Sequence, residues 1–257
     1  MTVGTLVLRN CTTLEEFRAC VALQQEVWGF SDAELVPLRI FSLAPKIGGQ
    51  VVGAWEGENL IGFAMAIPGS RNGHPYLHSH MVAVKEGNRN SGLGRTLKLF
   101  QREDAIAHGY ELMEWTFDPL EIKNAYFNLE RLGAIARRYN VNQYGITNSP
   151  LQGFLPTDRL VAEWWMTSRR VRTLLSMGRH PAIHAEERVE VPAEIYQWKA
   201  EPAMRSKAVE IQARNRERFQ SAFSRGFSCL GFERGSDGNG NFQLGHWDEN
   251  WSYASNS

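Results

Sequence analysis

Residues 76–95 read YLHSHMVAVKEGNRNSGLGR, a strand that runs into a glycine-rich turn and on into a helix. From Leu77 to Val84 the residues are apolar or β-branched apart from His78, Ser79 and His80, the pattern of a central strand covered on both faces. Alternation along a strand puts His78 and His80 on one face, together with Val82 and Val84. After a turn at Lys85 to Asn88 come Arg89, Asn90, Ser91, Gly92, Leu93 and Gly94. A helical pattern follows, with Leu93, Leu97, Phe100 and Ile106 on or near one face. Gly92 and Gly94 let a ligand approach the backbone at a helix N-terminus, where unpaired N–H groups and the helix dipole favour phosphate. The stretch therefore predicts an anion site able to take a pyrophosphate.

On the N-terminal side, Thr5 to Arg9 is β-rich, and Thr12 or Thr13 can cap a helix to about Trp28. Its apolar side is Leu14, Phe17, Cys20, Val21, Leu23 and Val27. Asp32 to Lys46 predicts a shorter helix interrupted at Pro37. Gln50–Trp55 and Leu60–Ile67 alternate as a hairpin around Glu56–Asn59, and PGSRNGHP separates the hairpin from the strand at Tyr76. On the C-terminal side the helix ends at Gly109, and Glu111 to Phe117 is the next strand. A helix from about Leu120 to Leu132 closes at Gly133. Ile135–Val141 and Leu160–Thr167 read as closing strands around an ordered lid that carries Tyr144, Phe154, Asp158 and Arg159.

From Ser168 onward the pattern changes. Arg169–Ser176 is a short basic helix, Arg188–Val191 an extended piece, and Pro202–Arg225 a strongly charged helix. Phe227–Glu233 and Asn241–His246 form a hairpin around GSDGNG, and the tail DENWSYASNS reads as disordered. The C-terminal piece is open to three roles: closing a pocket, making a homodimer, or extending the core.

Twenty-eight basic and 28 acidic residues in 257 give zero formal net charge, so no global field argues for nucleic acid or an anionic membrane. The basic side of the long C-terminal helix, Arg205, Lys207, Arg214, Arg216 and Arg218, is interleaved with acids and reads as a solvated face. No apolar run is long enough to span a bilayer, and the start lacks signal-peptide character, so the expected location is cytoplasmic. Cys11, Cys20 and Cys229 have neither disulfide nor zinc spacing. His74, His78 and His80 lack a convincing acidic or thiol partner for a metal, and none is expected.

The strand, turn and helix at 76–95 resemble motif A of the GNAT superfamily of acyl-CoA-dependent acyltransferases, with its Q/RxxGxG/A signature on Arg89, Gly92 and Gly94. His78 to Val84 is also similar to the HxHxxAV strand of the serotonin N-acetyltransferases. The element order β, α, α, β, β, β, α, β matches that superfamily. The resemblance covers roughly residues 5 to 168 and implies an α/β (α+β) fold: a mixed, mostly antiparallel twisted sheet flanked by helices. Its domain would be residues 1–168, with residues 169–257 a helix and β-hairpin extension packed on or beside it. WTFDPL, NAYFNLERLGA, YGI and PTDRLVAEWW resemble a bacterial GNAT subfamily of predicted acetyltransferases, some of whose relatives act on amino acids, including with succinyl-CoA.

The resemblance implies acetyl-CoA or another acyl-CoA as co-substrate, no metal, and the primary amine of a small molecule as acceptor. Coenzyme A would be held by Met81, Val82, Val84, the loop Arg89, Asn90, Ser91, Gly92, Leu93, Gly94 and Arg95, and by Asn124 and Phe127. His78 and His80 would take the amine proton, with Glu114 and Asp118 as reserve bases. The first helices would cover the acceptor, making Trp28, Phe30 and Phe41 acceptor contacts or core. Alignment on Gly133 places Ala125 on the family alanine but Leu129 where the family has a thiolate-protonating tyrosine. Tyr126, Tyr139 and Tyr144 are the substitutes, unless no protein acid is required. Asn124 and Asn128 share a helix face for pantetheine or a polar acceptor, or are solvated or capping. Asp158 and Arg159 either pair with each other or face the acceptor, where the arginine could bind a carboxylate. Two other classes compete: a non-catalytic acyl-CoA sensor, and a protein-lysine acetyltransferase.

Overall fold

The computed structural model describes residues 5–29, 34–145 and 154–253. In chain order its elements are β1 (Leu6–Asn10), α1 (Leu14–Trp28), α2 (Leu38–Leu43), β2 (Gln50–Glu56), β3 (Asn59–Arg71), β4 (His74–Val84), α3 (Leu93–Ala107), β5 (Leu112–Phe117), α4 (Ile122–Tyr126), β6 (Ile135–Asn140) and β7 (Arg159–Trp165). There follow α5 (Arg169–Met177), β8 (Glu187–Val191), α6 (Ile195–Ala200), α7 (Arg205–Ser224), β9 (Ser228–Arg234) and β10 (Gly240–Gly245). The α/β fold with a mostly antiparallel sheet and flanking helices expected from the sequence is the fold observed. The residues form two compact units, one running to Met113 and taking in Tyr253, the other Glu114–Ser252. Contacts do not divide at 168/169, because α7 is tied to the end of the preceding loop: Arg216 Nε donates to Asp158 at 2.8 Å and Gln212 to the Pro156 carbonyl at 2.8 Å.

In the first unit β1, β2, β3 and β4 pair antiparallel in chain order. The β3–β4 turn is tighter than PGSRNGHP suggested: both strands run on to Asn72 and Gly73, whose φ values of 51° and 80° fit an Asn-Gly hairpin. One face of the sheet carries Phe63, Met65 and Ala83 under α1 and α2, with Phe17, Cys20, Leu23 and Phe41. The other carries Val52, Ala54, Ile61 and Ala64 against Leu93 and Leu97 of α3. Phe41 is fully buried edge-on to Phe63, ring centroids 5.5 Å apart, so it is core and not an acceptor contact. Phe30 lies outside the described residues.

Thr13 caps α1 through a capping box with Glu16, whose carboxylate also accepts from Thr12 N at 2.6 Å and pairs with Arg9. Burial pushes that carboxyl up, but the two backbone N–H groups and Arg9 outweigh it and hold the pKa down to about 2 from an ordinary 4.5. A depressed carboxyl stabilises the fold above its unfolded pKa and loses that contribution as pH falls toward the folded value. Glu16→Gln is therefore expected to cost about 1 kcal/mol at pH 7, with the gap to wild type narrowing below pH ~4.5; urea unfolding at pH 7 and pH 3 measures it.

In the second unit the strand order is β5-β7-β6-β9-β10-β8. From His246 to Tyr253 the chain is ordered where a disordered tail was expected. Glu249 accepts from Arg169 N and Arg170 N at 2.7 and 3.0 Å and so caps α5, Asp248 pairs with Arg169, and Trp247 and Trp251 lie by Trp165 at 6.4 and 5.6 Å. Tyr253, in the first unit, stacks on His74 with centroids 4.6 Å apart. Arg214 and Arg216 of α7 are bonded to Glu190 O and Asp158, so that helix face is pinned rather than simply solvated. Among the described residues no helix is long and apolar enough to cross a membrane.

Candidate active site

Strand β4 does not alternate cleanly. Met65 pairs with Met81 and Ala66 with Ser79, leaving His80 as an extra residue opposite no partner. This is a β-bulge, which re-aims the side chains around it. Val82 consequently lies with the α3 cluster, whereas Met81 and Ile67, the partner of His78, lie with the α1–α2 cluster. His78 therefore faces α1 and α2, and the expectation that it shares a face with Val82 and Val84 is corrected: the inserted residue shifts the alternation by one. The two imidazoles remain neighbours, with ring centroids 6.1 Å apart. Trp28 packs at the margin of the same α1–α2 cluster. Desolvation lowers the His80 pKa from its ordinary 6.5, and because the ring is partly open to solvent, water tempers that shift.

Lys85 N donates to Ile61 O at 2.9 Å, toward β3. By alternation the N–H groups of Val82 and Val84 point away from β3, off the other edge of β4. The loop then turns through Asn90 and Gly92, both at positive φ (61° and 89°), which glycine tolerates and asparagine accepts more readily than most residues. Ser91 Oγ donates to Asn88 O at 2.6 Å, and Arg89 Nε to Val84 O at 3.3 Å. Gly92 is the N-cap of α3, and Leu93 N donates to Ser91 Oγ at 3.4 Å.

Gly94 is more telling. It sits in the first turn of α3, where glycine costs about 1 kcal/mol relative to alanine, yet an added Cβ would meet nothing nearer than Val84 Cγ2 at 4.0 Å. The protein's own packing does not require a glycine there. The open space at the start of α3 suits an anionic, close-lying ligand such as the pyrophosphate of coenzyme A.

The second unit holds the remaining candidates, most of them in the frame of the fold. Glu114 is buried and paired with Arg138, which also reaches Glu163 at 3.3 Å. Asp118 is buried against Lys199 at 3.1 Å and accepts from Leu120 N at 2.8 Å. Asp158, fully buried, accepts from Tyr139 Oη at 2.7 Å, Asn142 N at 3.0 Å and Arg216 Nε at 2.8 Å. It does not pair with the Arg159 guanidinium, which bonds the Asp158 carbonyl and lies over the Tyr144 ring. Asn128, 1 % exposed, accepts from Trp115 Nε1 at 3.1 Å and donates to Asn124 at 3.3 Å. Glu114, Asp118, Asn128 and Asp158 are thus all buried and hydrogen-bonded within the fold.

The helix expected over 120–132 is α4 followed by a π-helical turn at Phe127–Arg131, with Leu132 N bonded to Phe127 O at 3.1 Å. Leu129 is fully buried there, and Phe127 lies in the same turn. Tyr139 is held protonated by burial and by its bond to Asp158, its pKa pushed well above the usual phenol range, and Tyr144 Oη lies 3.0 Å from Thr116 Oγ1. Tyr126 remains accessible and lines a cavity of about 710 Å3 with Arg188, Phe232 and Arg234. Sequence reading missed α6, whose Lys199 bridges Asp118 and Glu121 (2.7 Å). Burial lowers the Lys199 pKa, but the two carboxylates outweigh it and raise it overall. Lys199→Ala is expected to destabilise by about 3 kcal/mol, because Asp118 is left buried without its counter-ion; denaturant unfolding at neutral pH checks this.

A strand bulged at paired histidines thus runs through a glycine-rich turn into the start of α3. Residues 15–133 match the acetyltransferase (GNAT) family, and over that stretch the chain is similar to its members. No curated protein matches the sequence. Among solved structures the chain is similar in fold to an N-acetyltransferase from Staphylococcus aureus Mu50 (13% identity, TM-score 0.52, covering 64% of this chain and 100% of that one). It is likewise similar to the ribosomal-protein-S18-alanine N-acetyltransferase of Escherichia coli (13%, 0.51, 64% and 96%). A third is yncA of Salmonella typhimurium, solved with its cofactor acetyl-CoA (15%, 0.51, 63% and 95%).

Proposed function

We propose that this protein transfers an acetyl group, or the related succinyl group, from coenzyme A directly to the primary amine of a small molecule such as an amino acid, with His78 and His80 taking up the amine proton. The observation that carries this reading is the bulge at His80, which keeps two imidazoles together on the α1–α2 side of a strand leading into the anion cradle. The chemistry fits. A lysine-like amine costs roughly 4 to 5 kcal/mol to deprotonate at neutral pH and an α-amino group about 1, and a neutral histidine is matched to the smaller task. Attack on the thioester carbonyl forms the amide and breaks the C–S bond, releasing the coenzyme A thiolate; backbone N–H groups near Val82 would polarise that carbonyl. The cradle Arg89–Arg95 would hold the pyrophosphate.

The lowered His80 pKa keeps a base of this kind neutral to more acidic pH than an ordinary imidazole. With an α-amine acceptor the acid limb attributable to His80 is expected below pH ~6.5, and His80→Gln should abolish that limb in a pH–rate profile. A second reading, a non-catalytic acyl-CoA sensor, is favoured by Leu129 at the family tyrosine position. Thiol release from acetyl-CoA and succinyl-CoA against amino acids, arylalkylamines and a lysine peptide separates the two.

A further inference from the structure

Lys98 of α3 is 2 % exposed, an unusual place for a lysine. It donates to Ser79 Oγ at 2.9 Å and reaches Met113 Sδ at 3.3 Å, and Ser79 in turn donates to Gln101 Oε1 at 3.3 Å. Gln101 is fully buried, and its backbone carbonyl accepts from Gln50, which also reaches Asp104 at 2.6 Å. Ser79 stands between the two histidines, at the step where β4 gains its extra residue.

We propose that Ser79, Lys98 and Gln101 form a positioning device that locks the β4 bulge and thereby sets where His78 and His80 point. A polar cluster at a sheet–helix contact gives up the stability that apolar packing would supply, so its retention is explained by the geometry it specifies. A one-residue slip that relaxed the bulge would move Ser79 to the apolar α1–α2 face and drive His80 toward α3. It would also take from Lys98 and Gln101 a hydrogen-bonding partner inside the core, a cost that disfavours the slipped register.

The inference rests on the reading of the histidines as bases, so its test has a readout that needs no acceptor. In the full chain, Ser79→Ala and, separately, Lys98→Met are expected to shift the imidazole resonances of both His78 and His80 in NMR spectra, while coenzyme A affinity is unchanged; Ser79→Thr restores them. With acetyl-CoA and whichever amine of the panel turns over, Ser79→Ala lowers kcat about tenfold with KM for acetyl-CoA unchanged, and has no further effect in the His78→Ala, His80→Ala background. Unmoved ring resonances in both variants, or an equal loss of kcat in the two backgrounds, overturn the inference. Full turnover by the double histidine variant would instead overturn the base assignment, leaving the resonances to decide the positioning claim.

Discussion

Replacing both histidines, His78→Ala with His80→Ala, is expected to lower kcat at least about 100-fold, the usual scale of a lost general base, while the dissociation constant for coenzyme A stays within a factor of two. The reason is spatial separation along one strand. The imidazoles belong to the bulged half of β4, whereas coenzyme A is assigned to the loop after Val84. His80 is open to solvent, and Ile67 and Met81 beside the pair pack against the α1–α2 cluster. The loss should be larger for a lysine-like amine than for an α-amino group, because more proton affinity must be overcome. Steady-state thiol release and calorimetric coenzyme A titration on one preparation check both halves.

Gly94→Leu is expected to do the reverse: at least a 100-fold loss of coenzyme A affinity in a protein that is no less stable. Leucine is among the better helix formers, so α3 gains up to about 1 kcal/mol in propensity. The new side chain starts in open space, 4.0 Å from the nearest heavy atom, and it would fill the volume the cradle keeps for the ligand. Thermal unfolding and coenzyme A titration of the variant measure the two effects. A fall in Tm would mean that Gly94 serves the fold, and with it the argument that its missing side chain serves a ligand would fail.

Much of the first unit was legible because its determinants are local. Thr13 and Glu16 announce a capping box, Gly92 and Gly94 the start of α3, and apolar spacing the faces of α1 and β2. What escaped was register. Period-two alternation assumes an unbroken strand, and no residue type in HSHMV marks the extra residue at His80; only its partner strand, through Met65 and Ala66, reveals it. The Asn72–Gly73 turn was a missed local signal, visible as an NG dipeptide between runs that flanking Pro68 and Pro75 made look like a connection. The second unit was less legible because its polar residues find partners across long separations: Asp118 with Lys199, Asp158 with Arg216, Glu249 with the N-terminus of α5. The candidate acids there, Glu114, Asp118 and Asp158, all carry ion pairs within the fold. The π-turn after Tyr126 is likewise invisible to a helical pattern that continues smoothly to Gly133.

The most direct test of the central claim is thiol release from acetyl-CoA by the full-length protein at neutral pH, with and without a panel of free amino acids, arylalkylamines and a lysine peptide. The account predicts release that depends on an amine and disappears in the double histidine variant. Tight coenzyme A binding with no amine-dependent release from either acetyl-CoA or succinyl-CoA would contradict it and assign the cradle to a sensor.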